Sequence, residues 1–114
     1  MAGQETTAQV LAAERAAVLE RLGRLELELA GIIQSGSVGS DDEHDPEGAT
    51  LAFERQHAAA LLSRARQHLA DIEAAMLRLA EGGYGRCAAC GGPIGAARLA
   101  ARPVATRCIR CARR

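Results

Sequence analysis

The chain has 114 residues, with as many basic as acidic side chains, so its formal net charge at pH 7 is zero. This length suits one domain, or one small unit with an appendage. Hydrophobic residues reach 48% but aromatic residues only 2%, which favours helix-on-helix packing over a core of large side chains. The chain has no run of about 18 apolar residues and no signal-peptide pattern, so we expect a cytoplasmic protein that does not contact a membrane.

Residues from about Thr6 to Gln34 have the apolar spacing of a coiled-coil helix. Apolar side chains recur every seven residues, and a second set lies three residues before the first. This pattern places both sets on one side of a helix, as a seam that a partner helix can cover. The seam consists of Leu11, Val18, Leu25 and Ile32, and of Ala8, Arg15, Leu22 and Leu29, among which Arg15 is the polar exception.

A break and a helix start follow this first segment. The stretch SGSVGS, Ser35–Ser40, is typical of a flexible connection. In the stretch DPEG, Asp45 suits the N-cap, Pro46 the first helical position and Glu47 the positively polarised first turn. The seven positions Asp41–Glu47 hold five acidic residues, and three of them precede the cap, which does not need them. We therefore expect a second helix to start beside a strongly acidic loop.

The second helical segment runs from about Pro46 to Glu81 and ends at Gly82-Gly83. It carries a seam with the same spacing: Leu51, Arg55, Ala58, Leu62, Ala65, Leu69, Ile72, Met76 and Leu79. We predict an all-α fold in which residues 1–83 form a long antiparallel helical hairpin, a coiled coil with an acidic tip loop at 35–49. Pairing of two chains through these seams is the alternative. The flexible break beside a strong N-cap favours the hairpin within one chain, and hence a monomer.

Residues 84–114 are predicted to form a small C-terminal finger. Its cysteines make two C-x-x-C pairs: Cys87 and Cys90, and Cys108 and Cys111. The seventeen residues between the pairs fit a four-cysteine zinc site, and four thiolates leave no open position for water or a substrate. No His, Asp or Glu follows Glu81 to act as a base. The pattern therefore indicates one structural zinc and no enzyme, with redox-active cysteine pairs or an iron–sulfur cluster as the alternatives.

The stretch YGRCAACGGPIGAARLAARPVATRCIRC, Tyr84 to Cys111, resembles the C4 zinc finger of the DksA/TraR family. The zinc spacing is generic, and the residues between the pairs make the likeness specific: Ile94-Gly95, Arg98-Leu99 and Ala101-Arg102-Pro103. With the predicted hairpin, the resemblance covers nearly the whole chain. It implies a bacterial transcription regulator that binds RNA polymerase directly. Members insert the hairpin through the secondary channel, and its acidic tip alters the stability of promoter complexes.

The family's tip carries an Asp-x-Ala element at the start of the second helix. Counting back from Cys87 without gaps places this element on Glu47-Gly48-Ala49, so the alanine matches and Glu replaces Asp. Asp45, two residues earlier, can supply the acidic group. The resemblance thus implies a functional tip formed by Asp45, Glu47 and Ala49. Phe53, close to this tip, is expected to pack on the opposite helix.

Family members often act together with the alarmone ppGpp. The same count places Asp71 where the best-known member has a basic residue that contacts ppGpp, whereas Arg64 matches a basic position. This departure argues against a response to ppGpp. The expected polymerase contacts are basic residues of the second helix and the finger: Arg64, Arg66, Arg98 and Arg102.

The charge of the finger supports a second class of function. Seven Arg and no acidic residue lie between Gly82 and Arg114, a pattern that also suits nucleic-acid binding. On that alternative the chain is a zinc-ribbon nucleic-acid-binding module with a dimerising coiled coil. Tyr84 is the finger's single aromatic residue, and a four-thiolate zinc centre carries a charge of about −2, so we expect no direct DNA binding. A third class is a redox sensor whose cysteine pairs release zinc on oxidation.

Overall fold

The computed structural model describes the backbone of residues 2–37 and 46–113. This part of the chain contains four helices: α1 (Ala2–Ser37), α2 (Pro46–Glu81), α3 (Ala96–Ala101) and α4 (Ile109–Ala112). Within it, the β-type pairing is limited to an isolated antiparallel bridge between Arg86 and Pro93. The predicted all-α fold is confirmed, with two long hairpin helices followed by a C-terminal four-cysteine segment.

Helix α1 is longer than the sequence predicts. It begins at Ala2 rather than near Thr6, and it continues to Ser37 rather than ending at Gln34. Near its start, the Thr7 hydroxyl donates a hydrogen bond of 2.9 Å to the Gly3 carbonyl, a back-bond that helical threonines make. Near its end, Ser and Gly cost only about 1 kcal/mol per residue or less, so composition alone places the boundary too early.

The predicted tip loop at 35–49 lies only partly within the described residues. Residues 35–37 are helical in α1, and residues 46–49 are helical in α2. Asp45 and the acidic residues Asp41–Glu43 lie outside the described residues. Helix α2 begins at Pro46, which is the predicted first helical position.

The contacts within the chain define two compact units. One unit is Ala17–Leu69, and the other combines Met1–Ala16 with Ala70–Arg114. Both boundaries fall inside the long helices, so each unit includes parts of α1 and α2. The division into residues 1–83 and 84–114, which the sequence suggests, stays a prediction.

In the unit Ala17–Leu69, the predicted seam supplies the core. The buried residues come from both helices: Val18, Leu22, Leu25, Ala58, Leu62 and Ala65. The seam positions nearer the ends of this unit are half-buried: Leu29, Ile32, Leu51 and Leu69. The expectation that Phe53 packs on the opposite helix is wrong, since it is 72% exposed. Phe53 lies off the seam spacing, so its position on the helix directs it away from the core.

In the other unit, Leu11 and Ile72 are the largest side chains without exposed surface. Both are predicted seam positions. Ala75 is also fully buried, although the seam predicts its neighbour Met76, which is half-buried. A helix of about 3.6 residues per turn drifts against a seven-residue repeat, so an adjacent residue can take over the buried position. Ala8 is exposed, and the buried part of the α1 seam therefore starts at Leu11.

The polar position of the α1 seam, Arg15, has an ionic partner. Arg15 donates hydrogen bonds from Nη2 and Nε to Oε2 of Glu73, at 3.2 Å and 3.3 Å. The two side chains are 41% and 48% exposed, so solvent screens the pair. A charged residue is tolerated here because its head group stays in contact with water and a carboxylate.

Helix α2 ends as its two glycines predict. Gly82 has φ of 86°, a left-handed conformation that glycine adopts without strain. The Gly83 N–H donates to the Arg78 carbonyl at 2.8 Å, and the Gly82 N–H donates to the Leu79 carbonyl at 3.3 Å. This is the hydrogen-bond pattern of a Schellman C-cap. Among the described residues, no helix is both long and apolar enough to cross a membrane.

Candidate metal centre

The four cysteines come together at one point of the finger. The sulfur atoms of Cys87, Cys90, Cys108 and Cys111 all lie within 4.8 Å of one another. The Sγ atoms of Cys90 and Cys108 are 3.8 Å apart, and none of the four cysteines forms a disulfide. Cys87 and Cys108 are buried, whereas Cys90 is exposed. This arrangement offers four sulfur ligands to a single ion.

The first cysteine pair sits on a tight turn. The Gly91 N–H donates to the Cys87 carbonyl at 2.9 Å, and the Cys87 N–H donates to the Gly92 carbonyl at 2.8 Å. Gly91 has φ of 75°, which strains any residue with a Cβ. The glycine after Cys90 therefore lets the backbone reverse and turn both sulfurs towards one point.

The second pair uses the start of a short helix. Cys108 immediately precedes α4, which begins at Ile109, and Cys111 lies in the first turn of that helix. The Ala112 N–H donates to the Cys108 carbonyl at 2.9 Å and closes this turn. A separation of three residues places both sulfurs on one side of the turn.

Backbone and apolar contacts hold the two pairs together. The Ala88 N–H, inside the first pair, donates to the Thr106 carbonyl at 2.7 Å, just before the second pair. Arg98 Nε donates to the Arg107 carbonyl at 2.8 Å. Ile94 is buried with two of the cysteines, and Leu99 and Ala105 pack against this cluster. The apolar part of the finger is therefore small and centred on the sulfurs.

Backbone hydrogen bonds and neighbouring sulfurs shift the pKa values of Cys87, Cys108 and Cys111. Hydrogen bonds from the backbone, chiefly at Cys108, lower the pKa of Cys87 to about 6. A backbone hydrogen bond at Cys111 likewise lowers the pKa of Cys108. Hydrogen bonding with the Cys108 sulfur, followed by that with Cys87, raises the pKa of Cys111 to about 12. Four thiolates crowded together repel, and a bound divalent cation stabilises the fully deprotonated set.

The chemistry of the donor set fits zinc. Four thiolates within reach of one ion suit tetrahedral Zn²⁺, and they leave no coordination position for a reacting water. No carboxylate or imidazole follows Glu81 in the sequence to serve as an additional ligand or base. The arrangement can hold a metal and stabilise a fold, and it lacks the open position of a catalytic zinc site.

The other sequence-predicted site residues that the structure describes lie on α2 and in the finger. Glu47 is in the first turn of α2, and Ala49 is exposed on the same helix. Arg64 and Arg66 are exposed on α2. In the finger, Arg98 is half-buried, whereas Arg102 is exposed and its backbone N–H bonds the Arg98 carbonyl at the end of α3.

Sequence reasoning missed the side-chain bonds that support the finger. The Tyr84 hydroxyl donates to the Pro103 carbonyl at 2.7 Å, and Arg98 bonds the Arg107 carbonyl. Both acceptors are backbone carbonyls, which every residue carries, so neither bond has a signature in residue spacing. Tyr84 is three residues before Cys87, and this proximity to the first zinc ligand is the one sign in the sequence that its side chain supports the finger.

Comparison with known proteins agrees with the finger's geometry. A family model described as the prokaryotic dksA/traR C4-type zinc finger matches residues 82–114. With the four clustered cysteines, this match identifies the metal of the finger as one structural zinc.

Two relatives extend the comparison beyond the finger. An uncharacterized protein of Bacillus subtilis, YteA, is 38% identical over 71 residues, which are 62% of this chain and 30% of that protein. This chain thus spans less than a third of YteA. The structure of transcription factor DksA2 from Pseudomonas aeruginosa matches 99% of this chain and 82% of its own, at 31% identity and a TM-score of 0.82. A relative this similar along most of its length shows that the chain belongs to the DksA/TraR family.

Proposed function

We propose that this protein is a cytoplasmic transcription regulator, not an enzyme, that binds RNA polymerase directly through the secondary channel. The observation that carries the proposal is the likeness to transcription factor DksA2, which extends over 99% of this chain. This likeness includes the long helices as well as the finger. A shared fold alone says little about function, but identity of 31% over that length supports a common mode of action.

The zinc ligands proposed for the finger are Cys87, Cys90, Cys108 and Cys111. Their sulfurs lie within 4.8 Å of one another, and the donor set is complete without water. Metal analysis of the purified Cys87→Ser/Cys111→Ser variant tests the assignment. We expect the variant to lose its zinc, and retention of one zinc per chain would exclude the four-cysteine site.

The tip residues Asp45, Glu47 and Ala49 are proposed to act on the polymerase active centre. The two helices of 36 residues each would serve as a rod that carries the tip into the channel. Carboxylates near a catalytic magnesium ion perturb it electrostatically, because a divalent ion dominates the local field. Ala49 is exposed on α2 and therefore accessible to a partner.

Basic residues are proposed to supply much of the polymerase affinity. Arg64, Arg66 and Arg102 are exposed and free to reach carboxylates of a partner. Arg98 is half-buried and already bonds the Arg107 carbonyl, so its main effect would be to shape the finger. A response to ppGpp is not part of the proposal, because the carboxylate of Asp71 would repel the alarmone's phosphates.

The regulator is proposed to act as a monomer. Leu11 and Ile72, from α1 and α2, are fully buried within a single chain. The central seam positions in the unit Ala17–Leu69 are likewise buried without a second chain. The central positions of the seams, which a dimerising coiled coil would bury between chains, are therefore already covered within one chain.

Direct binding to purified bacterial RNA polymerase tests the proposal. We expect the immobilised protein to capture the polymerase, and Arg64→Gln/Arg66→Gln to weaken this capture. Arg21→Gln/Arg24→Gln is the matched control, since both arginines are exposed on α1 and removing them changes net charge equally. A parent protein that does not bind polymerase would exclude the proposed function.

Nucleic-acid binding is the second candidate because the finger exposes many arginines. The exposed side chains are Arg86, Arg102, Arg107, Arg110 and Arg113. Helices α3 and α4 have only 6 and 4 residues, so neither is long enough to fill a major groove. Salt titration of binding to a DNA duplex without polymerase separates the candidates. A steep loss of affinity with salt would favour direct contacts with phosphates.

A further inference from the structure

Tyr84 joins the chain leaving α2 to the segment before the second cysteine pair. Its hydroxyl donates to the Pro103 carbonyl at 2.7 Å, across a separation of nineteen residues. Cys87 and Cys90 lie inside the loop that this bond closes, and Cys108 lies five residues beyond Pro103. The bond therefore connects two parts of the finger that hold different zinc ligands.

Tyr84 also lies close to charges on both long helices. Desolvation by burial raises the pKa of Tyr84, and the positive charge of Arg78 opposes that shift. The negative charge of Glu14 raises the pKa further. Arg78 belongs to the last turn of α2, and Glu14 belongs to α1. Tyr84, Arg78 and Glu14 all belong to one compact unit, which combines Met1–Ala16 with Ala70–Arg114.

Arg78 anchors the turn that leads to Tyr84. Its carbonyl accepts the hydrogen bond from the Gly83 N–H at 2.8 Å. Its Nη2 atom is buried and has no hydrogen-bond partner. The turn that closes on the Arg78 carbonyl leads directly into Tyr84, which follows Gly83 in the chain.

The backbone beside Tyr84 is rich in glycine and can adopt many conformations. Gly82 and Gly85 have φ of 86° and 90°, and Gly83 lies between Gly82 and Tyr84. Three glycines within four residues give the connection little intrinsic stiffness. Backbone hydrogen bonds hold part of this connection, from the Gly83 N–H to the Arg78 carbonyl and from the Ile94 N–H to the Gly85 carbonyl, and the Tyr84 hydroxyl adds a side-chain bond to them.

We propose that Tyr84 is a positioning residue that fixes the orientation of the zinc finger on the last turn of α2. The Pro103 carbonyl is held in place by neighbouring bonds, from Ala105 to Arg102 and from Ala88 to Thr106. The bond from Ala88 to Thr106 links the two cysteine pairs, whereas the bond from Ala105 to Arg102 is a local turn beside Pro103. This role concerns the protein itself and holds whichever partner the finger contacts.

Residual dipolar couplings of the zinc-loaded Tyr84→Phe variant test the proposal. In the parent, amides of residues 70–81 and 87–111 should fit one alignment tensor, because both groups move as one body. The variant keeps the ring but lacks the hydroxyl, so we expect one zinc per chain, an unchanged helical signal and two different tensors. Amide exchange at Ala105 should accelerate roughly tenfold, the effect of losing one neutral hydrogen bond. A common tensor in the variant would overturn the proposal.

Arg98→Gln is the matched control. It removes the other side-chain-to-backbone bond of the finger, from Arg98 Nε to the Arg107 carbonyl, which lies wholly between the cysteine pairs. We expect this variant to bind zinc less tightly while its zinc-loaded form keeps one alignment tensor. Two tensors in Arg98→Gln would show that any loosening of the finger disturbs its orientation, which would contradict a specific role for Tyr84.

Fluorotyrosine provides a test that does not alter the fold. Tyr84 is the only tyrosine of the chain, so biosynthetic incorporation of 3-fluorotyrosine labels this site alone. Fluorine lowers the phenol pKa, and above that pKa the phenolate cannot donate to Pro103. We expect the labelled, zinc-loaded protein to change from one tensor to two at a pH where the parent keeps one. Retention of a single tensor through the titration would overturn the proposal.

Discussion

The helical hairpin and the zinc finger are stabilised by different interactions. The hairpin buries apolar side chains along both long helices, and Leu11 and Ile72 have no exposed surface. The finger's buried residues are Cys87, Ile94 and Cys108, of which two are proposed metal ligands. Burial of one large side chain contributes about 1.5–3 kcal/mol, whereas a structural zinc contributes on the order of 10 kcal/mol. Periodic burial therefore stabilises the hairpin, and metal–thiolate bonds stabilise the finger.

Removal of zinc should produce the largest difference in stability between the finger and the hairpin. Chelation with EDTA is expected to unfold the finger while most of the helical signal in circular dichroism remains. The reason is that α1 and α2 contain 36 residues each, against 6 and 4 in α3 and α4. Amide NMR signals of residues 87–111 should lose their dispersion. Disappearance of nearly all the helical signal would show that the hairpin also depends on the metal.

Truncation of a buried seam residue should destabilise the hairpin and leave zinc binding unchanged. Ile72→Ala leaves a cavity at a fully buried position, so we expect a loss of about 2–5 kcal/mol in the free energy of hairpin unfolding. Zinc content at moderate temperature should not change. Thermal denaturation followed at the helical signal measures the effect. Leu27→Ala is the control, because Leu27 is 77% exposed and its truncation should cost about 0.5 kcal/mol or less.

Gly85 tests the backbone of the finger. Its φ is 90°, and an added Cβ would lie 3.6 Å from Leu99 Cδ1, which is an ordinary contact. Gly85→Ala should therefore cost about 1–2 kcal/mol through backbone strain alone, or roughly tenfold in zinc affinity. Competition with a chelator measures this loss. Gly83→Ala is the control, since Gly83 has no positive φ and its added Cβ would meet no atom within 4 Å.

The smallest expected effect is a shift in the titration of Tyr84. Burial raises its pKa above 10.0, because the neutral phenol is favoured in the folded protein. The stability that this group contributes is present below pH 10 and is lost as the pH rises through the raised pKa. Tyrosinate absorbance reports this residue alone, since the chain has one Tyr and no Trp. A midpoint equal to that of the denatured chain would contradict the structure around Tyr84.

The seams were predictable because burial on a helix follows local spacing. Positions such as Leu11, Val18 and Ile72 could be assigned from the repeat alone, and they are buried. The Arg15–Glu73 ion pair could not, because its residues are 58 positions apart and meet only in one register of the two helices. Phe53 shows that residue type alone does not predict burial, since this aromatic side chain lies off the seam and is 72% exposed.

In the finger, the spacing of the cysteines predicted their convergence. Two-residue gaps restrict each pair to a turn, and the structure brings all four sulfurs within 4.8 Å. The hydrogen bond from Tyr84 to the Pro103 carbonyl was not predictable from the sequence. Every residue has a backbone carbonyl, and the position of this one depends on the folded finger. The tip stays a prediction from family resemblance, since Asp45 lies outside the described residues.

The proposed function requires that the hairpin carry an acidic tip to RNA polymerase. Asp45→Asn/Glu47→Gln tests it, because these substitutions remove two charges while preserving side-chain size and most capping ability. Glu26→Gln/Glu28→Gln is the matched control, with two exposed carboxylates removed from α1. Polymerase binding and promoter-specific transcription would be measured side by side for the parent, the tip variant and the control.

The most direct measurement is the transcriptional effect of the tip variant at saturating polymerase occupancy. We expect binding within about twofold of the parent, a difference of about 0.4 kcal/mol, together with a lost effect on transcription. The control should bind and regulate as the parent does. A tip variant that binds polymerase and still regulates as strongly as the parent would contradict the claim.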